Sequence, residues 1–154
     1  MVVSQADSTA SVGWIEHQTL EHIKGALRVT VDARGPQLSQ SRRAASICFV
    51  LQSFCRHLER LMRIEEEDGY MADVAEVNPC LSQRIRALAL DHHDFRERVR
   101  ELAPRVEAVE HWDEAEFAAV CEEIRDFLDR LDHHDEAEIR LLQEALTMDE
   151  GGEG

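Results

Sequence analysis

The chain has 154 residues, 44% hydrophobic and 32% charged, with only 7 glycines and 3 prolines, which suits one domain of long helices rather than a turn-rich sheet fold. A formal net charge of −15 argues against nucleic acid or an anionic membrane surface as a partner and describes a well-solvated exterior. No apolar run approaches the ~18 residues of a membrane span, no basic-then-apolar leader opens the chain, and Cys48, Cys55, Cys80 and Cys121 lack C-x-x-C spacing, as expected of reduced thiols in a cytoplasmic protein.

Residues 1–11 are small and polar and read as a flexible tail. Helical periodicity then runs from about Gly13 to Ala33 through Ile15, Thr19, His22, Ile23 and Ala26, which places His22 on the apolar stripe and His17 off it. The segment from Arg34 to Gln40, with Gly35-Pro36, breaks that helix. A second helix extends from about Ser41 to Val77, with Gly69 as the place for a bend. Its stripe of Ile47, Leu51, Phe54, Leu58 and Leu61 continues onto Glu65, so this carboxylate points inward, while Glu66 and Glu67 rotate toward solvent by about 100° and 200°. His57 lies on the flank of the stripe, one turn before Leu61.

Asn78-Pro79-Cys80 is a turn. The third helix carries Leu81, Ile85, Leu88, His92, Phe95, Val99 and Leu102 at steps of three and four, and Pro104 ends or kinks it. Asp113-Glu114-Ala115-Glu116 has the form of a capping box opening the last helix. There the stripe Phe117, Val120, Cys121, Ile124, Phe127, Leu128, Leu131 arrives at His134 and Glu138 before returning to Leu141, Leu142 and Ala145. Residues 149–154 form an acidic flexible tail, leaving residues 12–148 as an all-α, up-down-up-down four-helix bundle.

His22, Glu65, His92, His134 and Glu138 thus fall on apolar stripes. Burying unpaired charge costs several kcal/mol, roughly, and a mixed imidazole and carboxylate set of this kind suits iron, manganese or zinc. Each residue alone has a plainer reading, as a hydrogen-bonded core group or a solvated charge.

Several of these motifs resemble the hemerythrin-like, or HHE cation-binding, domain family. They are Leu20-Glu21-His22, Asp91-His92 with Phe95 three residues on, His134-Asp135-x-x-Glu138-x-x-Leu141-Leu142, and the run from Glu65 to Met71. The likeness covers roughly residues 14–148. It implies a cytoplasmic, non-haem metal-binding bundle, with two iron ions, or one, held by His22, Glu65, His92, His134 and Glu138. Its expected ligand is O2 or a related small diatomic molecule, or the site responds to iron or redox state. The chain departs from the pattern at Leu61, where the family places a second-helix histidine, so His57 or water must fill that position if two metals bind. Arg96 stands where oxygen-carrying members add a further histidine, which favours general iron binding over reversible oxygen carriage. The alternative is a metal-depleted interaction module. A hydrolytic or oxidative enzyme is the weakest reading, since nucleophile elbow, P-loop and H-E-x-x-H are all missing.

Overall fold

The structure, a computed structural model, describes residues 3–36, 38–67, 69–108 and 113–150. Within them the chain forms α1 (Val3–Asp32), α2 (Gln40–Glu67), a short α3 (Tyr70–Val77), a 3-10 turn (Pro79–Leu81), α4 (Ser82–Glu107) and α5 (Glu114–Glu150), with no strand among the described residues. α1 packs on α2, α2 on α4, α4 on α5 and α5 back on α1. The four long helices therefore close an up-down-up-down bundle, as their short connections require. None of the helices is long and apolar enough to cross a membrane, among the described residues.

The apolar core is divided in two. The larger part includes Leu27, Ile47, Leu51, Phe54, Leu58, Phe95, Ile124, Phe127 and Leu128, and the smaller gathers Met71, Leu81, Ile85, Leu88, Leu141 and Ala145. Between them lies a polar layer. Along α4 the buried series runs Leu88, His92, Phe95; along α5 it runs Leu131, His134, Glu138, Leu141; along α2 it ends Leu61, Met62, Glu65. The 3.6-residue period that buries the leucines carries these polar side chains inward with them.

Four elements differ from the sequence expectation. α1 begins at Val3, well ahead of Gly13, because nothing in the intervening Ser, Ala and Gln run stops a helix from propagating; Met1 and Val2 of the expected tail lie outside the described residues. α5 reaches Glu150, and the rest of the expected acidic tail, 151–154, is also outside them. α2 stops at Glu67 and α3 restarts at Tyr70, so Gly69 marks a break rather than a bend. α4 passes through Pro104 and ends at Glu107, burying Val106 in the extra turn. The expected capping box is present: Asp113 Oδ1 accepts from the Glu116 amide at 2.8 Å, and Glu116 Oε2 accepts from the Asp113 amide at 3.1 Å.

Candidate metal centre

Glu65, His92 and His134 come together where α2, α4 and α5 meet, with one donor atom of each lying within 4.8 Å of the others. His92 Nε2 is 3.2 Å from His134 Nε2 and 3.2 Å from Glu65 Oε2. His92 is 1% exposed and His134 5%. The Phe95 ring stands edge-on to the His134 ring, centroids 5.3 Å apart, which fixes its plane.

The outer nitrogens decide what the inner ones offer. His92 Nδ1 donates to Glu66 Oε1 at 2.9 Å, and His134 Nδ1 donates to Asp91 Oδ2 at 3.1 Å. An ionised carboxylate only accepts, so both Nδ1 atoms carry protons. Neutral rings then turn two bare Nε2 lone pairs toward each other, beside a third acceptor on Glu65. A metal cation, or a proton shared with the Glu65 carboxyl, would relieve such a cluster of acceptors. The spacing fits a metal ion: ligands at ~2.0–2.1 Å in tetrahedral geometry lie about 3.3 Å apart. Carboxylates on the far nitrogen of each histidine are the usual support for imidazole ligands.

The charges around the layer agree with this arrangement. Burial pushes the Glu65 carboxyl up to about 8, with Asp135 and Glu66 adding to the rise and a hydrogen bond with Glu138 opposing it. Glu138 goes up to about 7, through burial and then the charge of Glu65. Two buried carboxyls side by side resist ionising together without a nearby cation. Burial also works against ionisation of Glu66, but Arg96 and His92 outweigh it and hold that carboxyl below the usual range. Arg96 Nη1 and Nη2 donate to Glu66 Oε1 and Oε2 at 2.8 and 2.9 Å, fixing the group that orients His92.

Of the residues expected at the site, Glu65, His92, His134 and Glu138 are buried in this layer. His22 is not. It is exposed, and its Nδ1 donates to the Gln18 carbonyl one turn back at 2.7 Å. The buried face of α1 is instead Glu16, Leu20, Lys24, Leu27 and Val31, one register away from the stripe expected through His22. Lys24 disguised that face: its ammonium is buried but salt-bridged to Glu21, Asp132 and Asp135 at 2.5, 2.7 and 2.9 Å. Burial opposes its charge, yet these carboxylates raise its pKa. His57 is half-buried and turned toward α1, where Nδ1 donates to Glu16. Leu61 is buried in the larger apolar cluster.

The partnerships of Glu66 with His92, of Asp91 with His134 and of Tyr70 with Glu138 are not visible in the sequence pattern. Glu66 had been assigned to solvent; a carboxylate next to an inward one can still reach back to a histidine on the neighbouring helix. Comparisons with protein-family models, curated proteins and solved structures return no match.

A cavity of about 210 Å3, lined by Asp91, Phe95, Arg130, His133 and His134, opens on the α4–α5 seam beside the cluster. It gives small molecules an approach from solvent to the outer side of His134.

Proposed function

We propose that the chain is a metal-binding protein of hemerythrin type, holding a single non-haem iron ion through Glu65 Oε2, His92 Nε2 and His134 Nε2. The observation that carries this reading is the convergence of two bare imidazole nitrogens and a carboxylate oxygen in a buried layer, each imidazole backed by its own carboxylate. Two histidines and one carboxylate with positions left open are the donor set of non-haem iron(II) centres that handle oxygen. Manganese or zinc would satisfy the same donors. When bound, iron supplies a site for O2 or a related small molecule, or a charge that follows redox state.

The protein's own residues orient the donors, exclude bulk water and set the charge. Glu66 and Asp91 hold the imidazole protons at Nδ1, Phe95 and the neighbouring leucines keep the layer dry, and Lys24 balances Asp135 next to His134. A second ion of the kind the family resemblance implies finds less support: His22 faces solvent, Leu61 stands in a ligand position, and His57 serves Glu16.

Metal analysis of protein loaded with iron(II) without air and then desalted tests this reading. About one retained iron per chain is the expected result for three protein donors, with loss of that iron in a His92→Ala, His134→Ala double variant. Full iron retention by the double variant would refute the assignment. No retention by folded wild-type protein would favour a metal-depleted interaction module, for which buried Leu61 is the specific observation.

A further inference from the structure

We propose that the open seam between α2 and α4 binds a fatty acid, a single acyl chain whose carboxylate is held by the Arg56 and Arg100 guanidinium groups. The inference does not depend on the metal reading, because none of Glu65, His92 and His134 lines this seam.

Two chambers lie along the seam and share Cys55. The smaller, of about 220 Å3, is lined by Cys48, Leu51, Cys55, Ala103 and Val106. The larger, of about 360 Å3, is lined by apolar Leu58, Met62 and Val99 and by the charged groups of Glu59, Arg96 and Arg100. The sequence explains why the seam is open. Cys48 and Cys55 stand two turns apart on one flank of α2, and α4 answers with Ala103. Side chains this small leave the gap between neighbouring helices unfilled. Burial pushes the Cys55 thiol up to about 11, so it stays protonated and lines the trough as a small apolar group rather than a nucleophile. From Cys48 to Met62 α2 rises about 21 Å, a length that suits an extended alkyl chain lying along the helix.

The charge along the seam selects the head group. The chain carries 32 acidic residues against 17 lysines and arginines, yet no acid falls between Asp32 and Glu59. Arg56, exposed beside Cys55, makes no ion pair among the described residues. Glu59, one turn on, is held instead by Arg96 at 2.9 Å. Arg100 pairs with Glu97 on its own helix, through a side chain 70% exposed, a contact that an incoming carboxylate replaces at little cost. In a molecule of net charge −15, two such cations beside an apolar trough mark a place for an anion with an apolar tail. Glu107, exposed in the last turn of α4, lines the smaller chamber. The head group therefore lies in the larger chamber, and the tail runs past Cys55 into the smaller one.

The test is calorimetric titration of the full-length protein with decanoate, using decanol and decylammonium as uncharged and cationic analogues. Wild-type protein is expected to bind decanoate saturably at one site and decylammonium far more weakly. Ala103→Leu fills the smaller chamber and should weaken decanoate binding about tenfold or more. The surface double variant Arg56→Glu, Arg100→Glu should also weaken it about tenfold, the scale of one lost hydrogen bond to a charged group, and leave decanol binding unchanged. Circular dichroism checks each fold, and the exposed double variant keeps the test decisive if Ala103→Leu does not fold. No saturable decanoate binding by wild type would overturn the proposal, as would wild-type affinity in the double variant or in folded Ala103→Leu. Equal affinity for decanoate and decylammonium would overturn it too, since the arginines would then select nothing.

Discussion

His134 and Glu138 stand four residues apart on one face of α5, and the same period that buries Leu131 and Leu141 buries them. That much is written in the sequence. The residues that complete the centre are not equally legible. Glu65 and His92 follow from counting threes and fours, whereas the partnership of His92 with Glu66 and of His134 with Asp91 depends on how neighbouring helices align. His22 failed for a related reason: counting assigns a lysine outward, but Lys24 goes inward because α5 presents Asp132 and Asp135 to it. Replacing Lys24 by Met should cost roughly 3 kcal/mol, the scale for breaking a buried ion pair and leaving its carboxylates uncompensated; urea denaturation measures it. The buried carboxyls give the metal-free protein a pH signature. Glu65 has its folded pKa raised from 4.5 to about 8, so the folded state binds the proton more tightly than the unfolded one. Its contribution is fully present below pH 4.5 and is lost as pH rises through about 8. Melting temperature in the presence of chelator should therefore fall across that window, with Glu138 adding in the same direction, and Glu65→Gln should flatten the slope. A slope unchanged by Glu65→Gln would remove Glu65 as its source.

Between Glu67 and Tyr70 the chain turns within a space that admits no Cβ at Gly69. Gly69→Ala must push the turn away from Glu65, at a cost of about 1–3 kcal/mol, the usual penalty of overpacking. Chemical denaturation should show it, together with a weaker hold on metal, since Glu65 is the residue displaced. At the start of α5, Asp113→Ala removes an exposed cap and should cost about 1 kcal/mol without changing metal content. The pairing of these two variants separates damage to the fold from damage to the site. Element existence was legible because long amphipathic helices repeat one period many times. The ends were less so. Pro104 reads as a stop, yet α4 continues to Glu107 because the further turn buries Val106 against the core, and burial outweighs a single lost backbone hydrogen bond. Gly69 reads as a bend, and the close approach that makes it a break is a tertiary fact.

At the scale of the whole molecule, the bundle is an apolar core cut by one polar layer, clothed in acidic surface. The architecture was readable from composition and periodicity, and so was the presence of inward imidazoles and carboxylates. How many donors converge was not, because convergence depends on the rotation of each helix about its own axis. α2, α4 and α5 turn Glu65, His92 and His134 to one point; α1 turns His22 away. The number of ions this layer can hold therefore decides between a single centre and the paired one that the resemblance implies. Iron content after anaerobic loading and desalting, compared between wild type and the His92→Ala, His134→Ala double variant, tests it most directly. About one iron per wild-type chain is expected, as three protein donors with open positions imply, and none in the double variant. Two irons per chain, or a double variant that keeps its iron, would contradict it.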